Sequence, residues 1–139
     1  MKYSISIPLN NEVFSIAKEC QKRIYESTGA SIMKNNSNPH INIISGTTKN
    51  LDEITSVIKK IKIHKKKNID LFGLGIFLTP EPLLYLRFKK SLFIEELRHS
   101  LLKDTLHLWQ TLSTSVYNDV WLPKCTLAYH DLSLDKLSD

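Results

Sequence analysis

The stretch Asn38–Ile44, with the sequence Asn-Pro-His-Ile-Asn-Ile-Ile, decides how the rest of the chain is interpreted. Its isoleucines are β-branched and apolar, which favours a buried β-strand. Side chains alternate between the two faces of a strand, so His40 and Asn42 project from the same face. The opposite face carries only isoleucine. A polar pair on an otherwise apolar strand indicates a functional site and not a packing role.

The same pattern returns at residues 122–128, which read Leu-Pro-Lys-Cys-Thr-Leu-Ala. Lys124 and Thr126 share one face of this second predicted strand, and they again follow a proline. Aligned, the two copies read Pro-[His/Lys]-x-[Asn/Thr]-[Ile/Leu]. This repetition predicts a loose internal duplication in which each half of the chain supplies one motif strand.

A doubled His-x-Thr motif on two strands, each after a proline, resembles the two-histidine (2H) phosphoesterases. That group includes 2′-5′ RNA ligase-like proteins and cyclic nucleotide phosphodiesterases. The resemblance covers most of the chain, because the order of elements between the motifs also fits. The chain departs from the family pattern at two positions. Asn42 stands where the family has Thr or Ser, and Lys124 stands where it has the second His.

The resemblance implies a metal-independent reaction on a phosphodiester. In the family, one His takes a proton from water or a ribose hydroxyl, and the other gives a proton to the leaving oxygen. Imidazole suits both roles because it titrates near neutral pH. Carried over, His40 and Lys124 are the catalytic pair, and Asn42 and Thr126 bind the phosphate. The implied substrates are RNA ends, 2′-5′ linkages and cyclic nucleotides, and no cofactor is implied.

Lys124 decides how much activity this site can support. A lysine has a reference pKa near 10.4 and acts as a fixed cation unless burial or neighbouring cations lower that pKa. Two functions therefore stay open: a divergent phosphodiesterase with weakened activity, and a catalytically weak or inactive module that binds RNA or a nucleotide. A third alternative is an interaction domain whose second lobe docks a partner.

Further binding residues are expected on the strand predicted at 83–89. Tyr85, Arg87 and Lys89 share one face of it, where Tyr85 can stack on a base and Arg87 can pair with a phosphate. A solvated strand face is the alternative. The lysine-rich segment 59–67 is expected to be a solvated helix end, with a nucleic-acid contact as the alternative.

No metal site is expected, because His64, His99 and His107 show no ligand spacing with each other or with cysteine. His130 lies on the same predicted strand face as Lys124. It is too far along an extended strand to replace the missing histidine unless that strand ends before it.

Composition is typical of one ordinary globular domain. The 139 residues are 42% hydrophobic and 24% charged, and their net charge of +5 weakly favours an anionic partner. The chain has no apolar run of transmembrane length and no leader pattern, so no membrane association is expected. Two cysteines are too few for a disulfide scaffold, and a cytoplasmic protein is the simplest expectation.

The periodicity of apolar residues predicts the order β-α-β-α-β-β-α-β. Helices are expected after Asn10 up to Gly29, from about Leu51 to Ile61 and from Ser91 to about Val116; strands are expected at 3–9, 39–45, 69–79, 83–89 and 122–129. The predicted fold is a single α+β domain over 1–139, with two lobes of duplicated β-α-β units and mostly antiparallel sheets around a central cleft. Family proteins continue beyond the second motif. We therefore expect a second lobe that is either abbreviated or completed by a partner, with an oligomer as one way to cover it.

Overall fold

The computed structural model describes residues 1–29, 38–61, 68–113, 121–129 and 132–137. Over these residues the chain is α+β. Its elements are β1 (Lys2–Pro8), α1 (Asn11–Thr28), β2 (His40–Thr47), α2 (Leu51–Lys60), β3 (Leu71–Phe77), β4 (Leu83–Phe88), α3 (Leu92–Thr105), β5 (Thr111–Leu112) and β6 (Lys124–Ala128). Short 3₁₀-helices cover Leu106–Leu108 and Leu134–Leu137. The predicted order of the main elements is confirmed, and β5 is an addition to it.

The strands form two three-stranded sheets, with the orders β1-β2-β5 and β3-β4-β6. The chain divides into two compact units. The first unit comprises Met1–Ser6, Asn42–Asp70 and Lys89–Pro123; the second comprises Ile7–Ile41, Leu71–Phe88 and Lys124–Asp139. Each unit therefore draws on segments from the beginning, the middle and the end of the sequence.

In the first unit, β2 is buried on both faces from Ile43 to Gly46. It pairs antiparallel with β5, so that Gly46 lies opposite Leu112. A Cβ at Gly46 would overlap the backbone carbonyl of Thr111, so only glycine allows this approach. Within the same unit, the Thr48 hydroxyl donates a 2.6 Å hydrogen bond to the Leu108 carbonyl.

The predicted extension of the third helix to about Val116 is wrong. Helix α3 ends at Thr105, and a 3₁₀ turn then leads the chain into β5. Leu108 and Leu112 keep helical spacing in the sequence, but Leu112 instead pairs with β2. The β2–β5 pairing provides hydrogen-bond partners for backbone N–H and C=O groups that would bond within the helix if α3 were longer. Local periodicity does not reveal this pairing.

In the second unit, β4 is the central strand and pairs antiparallel with both β3 and β6. Helix α1 begins as predicted, because the Asn10 side chain accepts a 2.9 Å hydrogen bond from the Val13 N–H. It ends at Gly29, whose φ of 71° suits glycine. The helix packs against β6. Ile24 and Leu84 contact a buried cluster formed by Ala128 and Leu132.

Candidate functional site

The second motif strand carries its polar residues on one face of the β3-β4-β6 sheet. Lys124 lies opposite Arg87 and Thr126 lies opposite Tyr85 in the antiparallel pairing of β4 and β6. Cross-strand partners project from the same face, so these four side chains form a compact patch. Four residues that the sequence analysis assigned to the site are therefore brought together by the register of two strands.

An aromatic floor, formed by Phe77 and Tyr85, underlies this patch. Their rings lie 4.8 Å apart between centroids, tilted by 30°. Tyr85 is 6% exposed, whereas Phe77 is 38% exposed and is the more accessible ring. Phe77 was not predicted as a site residue. Its alternation with Gly73 and Gly75 placed it on the correct face, but its contact with Tyr85 depends on how β3 and β4 pair.

Gly75 makes room for a side chain of the neighbouring strand. Glycines within a strand often mark close approach by a ligand or by another backbone. A Cβ at Gly75 would instead overlap the ring of Tyr85, so this glycine makes room for a neighbouring side chain. A Cβ at Gly73 would meet nothing within 4 Å, and the φ of 151° at this residue accompanies an irregularity in the β3–β4 pairing. At Gly75 the close neighbour is therefore the ring of Tyr85.

Two cations of this face lie over aromatic rings. The Lys124 Nζ is 5.6 Å from the centroid of Phe77, and the Arg87 guanidinium is 5.0 Å from the centroid of Phe72. Among the described residues, ion pairs to carboxylates involve Lys22, Arg23 and Lys90 but neither of these two cations. Burial lowers the pKa of Lys124, because desolvation disfavours its charged form. The patch is thus cationic and partly dry, and no carboxylate in the described part of the chain neutralises it.

His40 is held in one ring orientation by the chain immediately before it. Its Nδ1 lies 2.7 Å from the carbonyl oxygen of Asn38. A carbonyl can only accept, so Nδ1 carries the proton, and Nε2 of the neutral ring is left with a free lone pair. This is the tautomer in which a histidine can accept a proton from a substrate or a water molecule.

The beginning of β2 lies next to β6 within the second unit. The backbone N–H of His40 hydrogen-bonds to the sulfur of Cys125 and favours its thiolate, but burial dominates and raises the pKa of this thiol to about 11. Cys125 is 1% exposed and therefore unreactive near neutral pH. Since Cys125 directly follows Lys124, this contact brings the backbones of the two motif strands together where each motif begins.

The other residues singled out in the sequence analysis do not belong to this patch. Asn42 and Lys89 are exposed and belong to the first unit. Strand β6 ends at Ala128, two residues before His130, which lies outside the described residues. The lysines of the basic segment at 62–67, together with His64, also lie outside them.

No protein-family model matches the chain, and no curated protein matches it. The resemblance to 2H phosphoesterases therefore rests on the paired motifs and stays a prediction. Among the helices that the structure describes, none combines the length and apolar character needed to cross a membrane.

Proposed function

We propose that this protein is a divergent 2H-type phosphoesterase domain that binds RNA ends, 2′-5′ linkages or cyclic nucleotides. The phosphodiester binds at Lys124 and Arg87, His40 is the proton acceptor, and hydrolysis is weak and metal-independent. The observation that carries this proposal is the pair of cations, Lys124 and Arg87, directly opposite each other on neighbouring strands and without a carboxylate partner among the described residues.

Such a pair favours an anionic ligand. Like charges in direct cross-strand positions destabilise a sheet by roughly 0.2–1 kcal/mol. A phosphodiester bound between them would replace that repulsion with two charge-assisted contacts, of which the arginine contact can be bidentate. Thr126, next to Lys124 on the same face, adds a hydroxyl donor for a nonbridging phosphate oxygen.

The aromatic floor favours a nucleotide over a simple phosphate. Phe77 presents part of its ring beside Lys124, and a nucleobase that stacks on an aromatic side chain contributes about 1–3 kcal/mol. Stacking on a ring depends little on which base is bound. We therefore expect the site to discriminate by phosphate linkage and not by base sequence.

The proton chemistry is unequal on the two motif strands. His40, with Nε2 free, accepts the proton of the attacking water or ribose hydroxyl. Lys124 as an ammonium group can donate a proton to the leaving oxygen, and its lowered pKa makes it a better donor than an ordinary lysine. It is still a poorer acid than an imidazolium ion, which is why we expect slow turnover.

A pure binding module is the second candidate. It is favoured by the position of the Lys124 ammonium group, which lies over the Phe77 ring and is stabilised there as a cation. A lysine held in this way would neutralise a phosphate without donating its proton. The two candidates agree on binding and differ in whether a cyclic or 2′-5′ phosphodiester is opened.

Binding is tested by fluorescence anisotropy of short labelled RNAs that end in a 2′,3′-cyclic phosphate, with EDTA present. Two phosphate contacts predict a slope of about −1.4 in log affinity against log salt. Lys124→Met should reduce the steepness of that slope by about 0.7. Lys18→Met is the matched control, because Lys18 also lies over a phenylalanine ring, that of Phe14, but on helix α1.

The outcomes separate the proposals. Saturable binding whose salt slope changes in Lys124→Met but not in Lys18→Met supports the site. Product analysis of the same mixtures then distinguishes the phosphodiesterase from the binding module. Absence of saturable binding to any phosphodiester, or a slope that Lys124→Met leaves unchanged, would refute both.

A further inference from the structure

Strand β3 is an edge strand in the described part of the second unit. The sheet order is β3-β4-β6, so the side of β3 that faces away from β4 pairs with no described strand. The N–H and C=O groups on such an edge are a ready template for another strand. Natural proteins usually protect exposed edges with lysine, proline or an inward-pointing charge.

The sequence of β3 carries no such protection. The segment from Leu71 to Thr79 contains neither a charged residue nor a proline, and the nearest charges along the chain are Asp70 and Glu81. By contrast, the chain as a whole carries a net charge of +5. The segment Leu71–Thr79 therefore adds no like charges of its own to a pairing of two copies.

The apolar side chains of β3 are also uncovered. Leu74 is 67% exposed and Leu78, just after the strand, is 74% exposed. On the same face of the neighbouring strand β4, Leu86 is 2% exposed and Phe88 is 2% exposed. Helix α1 packs against β6, so the covered part of this face includes β4 but stops short of β3.

We propose that the outer edge of β3 is a homodimer interface, at which two copies pair their β3 strands antiparallel into one six-stranded sheet. With a two-fold axis perpendicular to the sheet, the equivalent faces of the two copies lie on the same side of the joined sheet. Leu74, Ile76 and Leu78 of one copy therefore meet the same residues of the other. The interface is complementary to itself because both partners present one uncharged, apolar strand.

The size of the surface predicts a reversible dimer. The exposed apolar side chains of this segment outside the candidate site are between 38% and 74% accessible; they are Phe72, Leu74, Ile76 and Leu78. Together they present roughly 500 Å² per copy, on the scale where one aromatic side chain buries 150–250 Å². Stable complexes bury about 800 Å² per partner, so pairing through β3 falls at the lower end of specific interfaces.

Sedimentation equilibrium of the full chain tests the proposal over protein concentrations from low micromolar to several hundred micromolar. The weight-average mass of the natural protein should rise with concentration towards that of a dimer. Leu74→Glu places a charge at the pairing edge and should raise the dimer dissociation constant at least tenfold. Leu92→Glu is the matched control, because Leu92 is 71% exposed on helix α3 and belongs to the other unit.

Circular dichroism melting confirms that each variant folds, and Leu78→Glu replaces Leu74→Glu if the latter does not. Hydrogen exchange gives a second readout, because the outward amides of β3 should become better protected as protein concentration rises. A natural protein that stays monomeric over the whole range overturns the proposal. So does a dimer that dissociates equally in Leu74→Glu and in Leu92→Glu. A monomer whose melting temperature falls only in Leu74→Glu would overturn it too, since the chain would then cover this face itself.

Discussion

The two motif strands have the same order of burial, although their functional residues differ. In each, a buried proline is followed by a half-buried polar residue and then by one that is 1% exposed: Pro39, His40 and Ile41 in one copy, and Pro123, Lys124 and Cys125 in the other. The next polar position is more open again, and the residue after it is buried. The two copies therefore share an order of burial as well as a sequence pattern, and they differ in having histidine in one and lysine in the other.

The comparison of the two motif strands distinguishes ligand binding from catalysis. His40 is oriented by a hydrogen bond to the chain just before it, which leaves Nε2 free to accept a proton. Lys124 is oriented by the Phe77 ring, which stabilises a positive charge. One strand presents an oriented imidazole that can accept a proton, and the other presents a partly buried ammonium group beside an aromatic ring. The following predictions test this difference, beginning with the largest effect.

Removal of His40 should have the largest effect on hydrolysis. We expect His40→Ala to reduce any cleavage of 2′,3′-cyclic or 2′-5′ substrates by at least about 100-fold, because general base catalysis typically contributes 10²–10⁴-fold. RNA affinity should change by less than about threefold, since the cations of the site remain. Single-turnover product formation and anisotropy measure the two quantities. His99→Ala, at an exposed position on α3, is the control; equal activity in both variants would exclude His40 as the base.

Placing a histidine on the second motif strand should make the two copies alike at this position. Lys124→His is expected to raise the cleavage rate by about 10- to 100-fold, because an imidazolium ion is a better acid for the leaving group. If the natural protein already cleaves rapidly and Lys124→His slows cleavage, Lys124 is the general acid. The contrast drawn between His40 and Lys124 is then wrong.

The aromatic floor beside Lys124 can be disturbed without changing a polar residue. Gly75→Ala places a Cβ where the ring of Tyr85 lies, so we expect a loss of about 1–3 kcal/mol in unfolding free energy and weaker RNA binding. The reference is the same substitution in a Tyr85→Leu background, where the ring is absent. A double-mutant cycle should show that most of the cost disappears there. Equal costs in both backgrounds would mean that the ring does not fill this space.

Much of this arrangement could be predicted from local sequence. Alternation identified the shared face of Lys124 and Thr126, and the Asn10 cap and Gly29 identified the limits of α1. These features depend on residues within one element. The end of α3 was missed, because the pairing of β5 with β2 joins segments more than sixty residues apart.

The aromatic floor shows why the rest of the site could not be predicted. Phe77 and Tyr85 contact each other only because β3 and β4 pair in a register that opposes Gly75 to Tyr85. A shift of one residue would have sent the two side chains to opposite faces. The sequence supplied the glycine and the two rings but not the register that brings them together.

The smallest expected effect concerns stability at Lys124. Burial lowers the pKa of this lysine from its ordinary value of 10.5, so its charged form costs folding free energy. Between the lowered folded pKa and the higher unfolded pKa, the unfolded state binds more protons, and stability therefore rises with pH. The cost is fully present at neutral pH. Lys124→Met removes it while retaining a long apolar chain that can contact Phe77 through its sulfur.

We therefore expect Lys124→Met to raise the unfolding free energy at pH 7, measured by urea denaturation, by a modest amount because this side chain is only partly buried. The gain should shrink as the pH becomes alkaline. Lys18→Met, which removes a lysine from the ring of Phe14, should change stability by no more than about 0.5 kcal/mol. A loss of stability in Lys124→Met would instead mean that the cation–π contact outweighs the burial cost. A variant that folds more stably and binds RNA less tightly would identify Lys124 as a residue whose charge serves the ligand and not the fold, which is the role that the comparison of the two motif strands assigns to it.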